Sequence, residues 1–492
     1  MKRLLIFSSS VLLCCWLLVA TAVAQDITGD SRGRNWNAKK AAHLLRRAGF
    51  GGSPAEVNFL VQLGGKKAAV NYLVDYEKID NSELEAALAR QNFDLSRSDS
   101  NINDAKRWWL FRMINTKRPL EEKMTLFWHD HFATSFRKVS DTEYMVRQNK
   151  FLRENALGNF RDILIGISKD PAMLIWLDNN LNRATRPNEN YARELLELFS
   201  MGIGHYTEQD IKEAARAFTG WEINRATRDF IFVQRDHDQG QKTFLGQTGN
   251  LNGDQIIDII LQQSVTSRFM AMKLFSFFAY PVEIDDPVVQ RLADVFVANN
   301  YSVKELMRAI FLSPEFYSSR AMQNMVKNPV EYVVGAIKML GATLSATSSA
   351  ADLITPLRNM GMDLFFPPDV DGWVSGVEWI NTNTQIERFN FANMLISNRS
   401  GGSVRAGTTT LDVDRIIREN NLQTSADVVD YFLNTLVQLN VSVDTRDALI
   451  KYLETKDNGQ IASPFTLDAK TVDEKVRGVI YLILISPEFQ LN

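Results

Sequence analysis

The chain has 492 residues, a formal net charge of −3 and two cysteines. Because 55 Lys and Arg are balanced by 58 Asp and Glu, no excess of basic residues points to nucleic acid or an anionic membrane surface as a partner. Cys14 and Cys15 both lie in the first apolar segment. The remaining sequence therefore has no thiol for a disulfide, a nucleophile or a metal ligand.

Residues 1–24 have the pattern of a secretory signal peptide. Lys2 and Arg3 precede an apolar run, and Ala22 to Ala24 form a small-residue cleavage pattern. We expect cleavage near Ala24 and a mature protein that is periplasmic or extracellular. No second apolar run of spanning length follows, so no transmembrane anchor is expected after cleavage. A retained anchor is the alternative.

After a polar leader at 25–37, the spacing of apolar residues predicts helices along most of the chain. Ser53, Pro54 and Glu56 form the start of one helix, as N-cap, first helical residue and capping-box partner. The predicted helices include residues 38–48, 54–63, 66–75, 83–90, 104–115, 119–136, 143–155, 160–167, 172–177, 189–201, 208–219, 255–262, 269–278, 288–298, 303–312, 330–340, 387–396, 413–419, 426–439 and 446–454.

One segment interrupts the helical pattern. Phe230 and Phe232 alternate with less bulky residues, and Asp238-Gln239-Gly240 offers a turn, which predicts a β-hairpin near 228–246. We therefore predict an all-α fold, a large multi-helix array with this one hairpin. The main helical domain is placed at 38–396, a Gly/Ser/Thr-rich loop at 397–410 and a C-terminal helical subdomain at 411–492.

Several long motifs resemble one bacterial family. They are HLLRRAGFGGSPAEV at 43–57, EKMTLFWHDHFAT at 122–134, the run NENYARELLELFSMGIGHYTEQDIKEAARAFTGW at 188–221, HDQGQKTFLG at 237–246, the Pro-Pro-x-Val-x-Gly-Trp loop at 367–373 and two Ser-Pro-Glu-Phe helix ends. The chain is similar in these motifs to the domain of unknown function 1800 family. The resemblance implies an exported, mainly helical bacterial protein, often encoded beside a second exported protein that could be its partner. It implies no activity.

The candidate metal ligands with the most specific spacing are His129 and His131. A His-x-His pair suits one divalent ion such as zinc when both residues lie on a strand, because side chains at i and i+2 then point the same way. On a helix they point nearly opposite ways. The two imidazoles can share an ion only if the Pro119 helix ends near Trp128. The alternative is one core histidine and one surface histidine.

Two further candidate ligands, His237 and Asp238, lie in the predicted hairpin turn. The sequence RDHDQGQK resembles a calcium loop only loosely, since Gly240 occupies the fifth position and Gln247 stands where a glutamate is required. An Asx-type turn is the simpler interpretation.

Asn190, Glu194 and Glu197 are candidate catalytic residues on the 189–201 helix. Two carboxylates on one helix face could act as acid and base in the cleavage of a glycoside. The same charges are also explained as a surface ladder, since Glu189, Arg193 and Glu197 are spaced four residues apart.

The loop from Phe365 to Trp373, with Trp379 nearby, offers either a surface for stacking carbohydrate or a rigid plug over the core. No catalytic spacing is stronger than its structural alternative, so whether the chain is an enzyme stays open. We expect an exported envelope or cell-surface accessory protein that binds a partner or a surface polymer. The alternative is a secreted hydrolase of an envelope polymer, metal-dependent or carboxylate-based.

Overall fold

The structure is a computed structural model that describes residues 36–345, 350–400, 403–406, 409–438, 441–456, 458–462 and 465–492. The predicted signal peptide at 1–24 and nearly all of the leader lie outside these residues. Within the described ranges, no helix is both long and apolar enough to cross a membrane.

Helices dominate the described residues, so the prediction of an all-α fold is confirmed. In the first half the α-helices are Ala38–Arg47, Pro54–Gln62, Lys66–Val74, Ser82–Ala89, Ile102–Asn115, Pro119–His131, Phe136–Val139, Thr142–Glu154, Phe160–Ser168, Pro171–Trp176, Asn190–Glu194 and Glu208–Ala217. In the second half they are Gly253–Leu261, Ser264–Phe278, Pro287–Ala298, Val303–Leu312, Pro329–Leu340, Ile354–Asn359, Thr382–Ser397, Val413–Glu419, Ser425–Leu436, Val443–Glu454, Ala469–Thr471, Arg477–Ile485 and Pro487–Gln490.

The described strands form four short antiparallel pairs. They are Trp221–Ile223 with Phe230–Phe232, Lys242–Phe244 with Gln247–Gly249, Thr343–Leu344 with Thr409–Thr410, and Arg399–Ser400 with Ser403–Ala406. The region predicted to hold one hairpin near 228–246 thus contains parts of two adjacent hairpins.

Local capping explains where several helices begin. The Ser53 hydroxyl accepts a hydrogen bond from the Glu56 amide, and the Glu56 carboxylate accepts one from the Ser53 amide, as the capping box predicts. Thr207 and Asp210 do the same for the helix Glu208–Ala217. The predicted helix 189–201 differs from expectation, because it is α-helical only over Asn190–Glu194 and continues as a π-helix to Ser200.

Two hydrophobic cores meet along the helix Pro119–His131. Met124, Phe127 and Trp128 belong to the core built mainly from residues 36–321. Leu126 belongs to the core that the C-terminal helices complete. Helix Thr382–Ser397 packs on Arg477–Ile485, and Pro329–Leu340 packs on Ser425–Leu436. The division into domains at 396 and 411 stays a prediction.

Because the helix Pro119–His131 is buried on nearly all sides, its charged residues must be paired inside the protein. Glu122 is fully buried and accepts hydrogen bonds from Trp109 Nε1 at 2.9 Å, Arg112 Nε at 3.0 Å and Arg153 Nε at 2.8 Å. The two guanidinium groups hold the pKa of Glu122 below its usual value despite the burial that opposes this. Lys123, also fully buried, pairs with Glu331.

Replacing Glu122 with Gln should lower the free energy of unfolding by about 3 kcal/mol, because two buried arginines lose their shared counter-charge. Urea unfolding followed by circular dichroism measures this change. Glu83→Gln is the matched control, since Glu83 pairs with Lys117 where both side chains are more than half exposed; its cost should stay below about 1 kcal/mol. Equal effects of the two substitutions would contradict this assignment.

Candidate functional site: a cleft beside the Pro119 helix

A cleft with a volume of about 500 Å³ opens beside the C-terminal end of the helix Pro119–His131. Three other segments complete its wall: helix Ser264–Phe278, the loop from Val370 to Trp379, and the start of helix Pro329–Leu340. At one end the lining residues, such as Lys273 and Asp371, are exposed, whereas at the other end they are buried. We call these the mouth and the buried end of the cleft.

Asp130, between the two predicted histidine ligands, is the carboxyl group that the helix presents to the cleft. Its Oδ1 accepts a hydrogen bond from the Trp373 amide at 2.8 Å. A Cβ on the preceding residue, Gly372, would lie 2.3 Å from the same oxygen, and Gly372 has a φ of +87°. Glycine is therefore required there for the loop to reach the carboxyl group.

The surroundings of Asp130 favour its protonated form. Burial raises the pKa of Asp130 to about 7, although the Trp373 amide and the Lys273 ammonium act in the opposite direction. A carboxyl group with a pKa near neutrality can both donate and accept a proton at the pH where most proteins work. Asp130 is thus a candidate for acid–base chemistry in the cleft.

His131 lies on the cleft side of the helix. Its ring stacks on Phe127 with the planes 9° apart, and Nε2 donates to the Phe199 carbonyl at 3.1 Å. Burial, aided by the charge of Lys273, lowers the pKa of His131 to about 3. The imidazole is therefore neutral at physiological pH, and the bond to Phe199 leaves Nδ1 as its acceptor.

His129 points away from the cleft. Its ring packs edge-on against Trp109 at 5.1 Å and Phe365 at 5.3 Å, and Nε2 accepts the Phe365 amide at 3.3 Å. Burial lowers the pKa of His129 to about 3. The helix continues past Trp128 to His131, so the two imidazoles leave on different sides and the structure does not bring them to one ion.

His237 and Asp238 lie apart from the cleft lining, each held by local contacts. His237 Nδ1 donates to the Thr219 carbonyl at 2.8 Å, and its ring meets Phe232 edge-on. Asp238 accepts Arg216 Nε at 2.7 Å and the Gly240 amide at 2.8 Å, an Asx turn whose arginine lowers the aspartate pKa. No group of three or more His, Asp or Glu side chains in the described ranges has the geometry to hold a metal ion.

The predicted carboxylates of the 189–201 helix come close to the mouth of the cleft but do not line it. Leu198 is the lining residue of this segment. The pKa of Glu194 is raised by burial and by the charges of Glu197 and Asp371, which indicates that these three acids share one region. Glu197 accepts a bond from the Tyr206 hydroxyl at 3.1 Å.

Asn190 has a structural partner, since its side-chain amide donates to the Leu177 carbonyl at 3.3 Å. Arg193 bridges Glu189 at 3.6 Å and Glu208 at 2.7 Å, as in the surface ladder that was the alternative interpretation. Of the predicted residues, the structure therefore brings Glu194 and Glu197 together near the cleft and assigns Asn190 to backbone support.

The sequence interpretation missed four charged residues of the cleft, and these are Asp130, Lys273, Arg47 and Glu331. Two signals could have indicated them. Lys273 is a lone charge in an otherwise apolar predicted helix, and Asp130 stands between two residues already singled out.

The whole chain was compared with known proteins. A family model described as protein of unknown function (DUF1800) matches residues 43–491. The chain belongs to this family. A search of the curated proteins and a search of the solved structures each gave no match. Asp130, the glycine–tryptophan loop and Lys273 all lie within the matched range, so the cleft is built from the DUF1800 part of the chain.

Asp130→Asn should change how stability depends on pH. The folded-state pKa of Asp130, about 7, lies above the ordinary value of 3.8. The contribution of Asp130 to stability is therefore complete below about pH 4 and is lost as pH rises through 7. The asparagine keeps an acceptor for the Trp373 amide but cannot ionise. The melting temperature of the unmutated protein should therefore fall relative to that of the variant between about pH 4 and pH 8. A difference independent of pH would contradict the raised pKa.

Proposed function

We propose that this protein is exported and binds a sugar-containing segment of a cell-surface polymer in the cleft beside the Pro119 helix. The observation that carries the proposal is the pairing of aromatic and polar groups on one wall. Trp373 and Trp379 both line the cleft, together with Asp130, Asp371 and Lys273. Binding sites for small molecules are typically apolar clefts of this size with a few placed polar groups.

The chemistry of a sugar suits this wall. The apolar face of a sugar ring can pack on an indole, while its hydroxyl groups exchange hydrogen bonds with carboxyl groups and serine hydroxyls. Ser276 and Ser375 supply hydroxyls from opposite segments of the lining. The loop that carries Trp373 is fixed by the Asp130 carboxyl group, so the cleft wall is formed before a ligand arrives. Trp373 and Trp379 are 8% and 5% exposed, so each presents only a small part of its indole to the cleft.

One observation favours a hydrolase as a second candidate. A carboxyl group with a pKa of about 7 is suited to protonate the leaving oxygen of a glycosidic bond, and Asp130 has this property within the cleft. Asp371 is a further carboxylate of the lining. In this candidate Asp130 takes the role that the sequence suggested for Glu194 and Glu197.

Titration calorimetry with a panel of soluble envelope oligosaccharides tests the binding proposal. Trp379→Leu should weaken binding of the ligand that responds by about tenfold, the upper range for loss of one aromatic contact. Trp221→Leu is the matched control, because Trp221 is about as buried as Trp379 (3% and 5% exposed) but lies outside the cleft lining. If no oligosaccharide binds, or if both variants bind equally, the proposal fails. Release of new reducing ends from a bound oligosaccharide would favour the hydrolase instead.

The proposal that the protein is exported has its own test. Expression of the full chain in a bacterial host should yield a product whose N-terminal residue is Gln25, because Ala22 to Ala24 match the cleavage pattern. N-terminal sequencing of the product in the periplasmic fraction and the medium measures this. Ala24→Lys is the control and should retain the leader. A cytoplasmic product that keeps residues 1–24 would contradict export.

A further inference from the structure

The buried end of the cleft has hydrogen-bond donors that no protein group uses. Arg47, Asn328 and Glu331 line this end and are 1%, 8% and 6% exposed. Arg47 donates through Nε to the Phe278 carbonyl at 2.9 Å and through Nη2 to the Phe277 carbonyl at 2.5 Å. Its Nη1 is left with only a distant approach to Glu331, at 3.9 Å.

Asn328 adds a second open donor. Its Oδ1 accepts the Glu331 amide at 2.8 Å, which assigns the other atom of the side-chain amide as Nδ2. Nδ2 has no acceptor within the part of the chain that the structure describes. Neither Asn328 Nδ2 nor Arg47 Nη1 is among the fully buried atoms that lack a partner, so both donors are reached from the cleft and can bind water or a ligand.

Positive charge is in excess around this end. Five cationic side chains are buried here, each at most 4% exposed, and one buried carboxylate, Glu331, faces them; the cations are Arg46, Arg47, Lys123, Lys327 and Arg388. Burial holds the pKa of Lys327 well below its usual range, so this lysine can lose its charge. The arginines cannot discharge so readily, since burial lowers the pKa only to about 9 for Arg46 and about 10 for Arg388.

The positive end of a helix dipole adds to the positive potential at the buried end of the cleft. Asn328 is the N-cap of the helix Pro329–Leu340, which has 12 residues, so the positive end of the helix lies at the cleft. Glu331 offsets part of the charge, but its oxygens are already engaged by Lys123 and by the Asn328 amide. The remaining open groups, Arg47 Nη1 and Asn328 Nδ2, are both donors.

We propose that the buried end of the cleft is a subsite for an oxyanion group carried by the ligand, bound by Arg47 Nη1 and Asn328 Nδ2 at the N-terminus of helix Pro329–Leu340. Charge-assisted hydrogen bonds to an oxyanion satisfy both donors and offset the excess of buried cations. The inference rests on the proposed function and narrows it: the sugar segment in the cleft is acidic, with its carboxylate or phosphate directed inward.

Inorganic phosphate is the probe for this subsite. Calorimetric titration at constant ionic strength should show saturable binding to the unmutated protein, with a dissociation constant in the millimolar range or tighter. Asn328→Asp keeps the helix cap but exchanges the donor for a negative charge, so phosphate binding should weaken at least about tenfold. Asn252→Asp is the matched control, because Asn252 caps the helix Gly253–Leu261 in the same way, outside the cleft lining. It should bind phosphate as the unmutated protein does.

Asn328→Ser is a second variant for the case that the aspartate variant misfolds, since serine also caps helices and replaces the amide donor by a shorter hydroxyl group without adding charge. Absence of saturable phosphate binding to the unmutated protein would overturn the subsite, as would unchanged binding in both Asn328 variants. The oligosaccharide panel separates this result from the broader proposal. Tight binding of neutral oligosaccharides with no preference for acidic ones removes the subsite and leaves the cleft function. Phosphate binding at Asn328 without any oligosaccharide binding supports the subsite and removes the proposed sugar-binding function of the cleft.

Discussion

The structure depends on the burial of one helix that carries charged residues on several of its faces. Along Pro119–His131, apolar side chains enter both hydrophobic cores, while Glu122, Lys123 and Asp130 each require a partner inside the protein. A charged group without a partner in such a place costs several kcal/mol, so the partners are constrained as tightly as the core packing. Glu122 fixes helices Ile102–Asn115 and Thr142–Glu154 beside it through Arg112 and Arg153, and Lys123 fixes helix Pro329–Leu340 through Glu331.

The same constraint builds the cleft. Asp130, at the cleft, accepts the Trp373 amide through one of its oxygens, and that contact requires a glycine at position 372. The loop is held both by this carboxyl group and by the burial of Trp373 and Trp379 in the second hydrophobic core. The shape of the candidate site thus depends on a polar contact and on apolar packing between distant segments of the chain.

Local features could be predicted from the sequence, and distant pairings could not. The capping boxes at Ser53 and Thr207 involve residues three positions apart, so their spacing alone predicts the helix starts. The divergence of His129 and His131 also follows from helix periodicity once the helix is known to reach His131. In contrast, Asp130 meets Trp373 across 243 positions, and Lys123 meets Glu331 across 208. No periodicity in one sequence encodes such pairs, so the cleft itself was beyond prediction.

The two ends of the cleft differ electrostatically for a physical reason. At the mouth, exposed charged side chains such as Asp371 and Lys273 face water, where their charges cost little and are screened by salt. At the buried end the cations lie among apolar groups, where screening is weak and each charge acts over a longer distance. Arg46 and Arg388 even retain buried N–H groups without any acceptor. Apolar residues of similar volume would stabilise this region at least as well, so stability alone gives no reason for so many cations. The positive potential is therefore strong at the buried end and weak at the mouth. It orients a ligand that has one anionic end, because reversing the ligand would move its anionic group away from the buried cations.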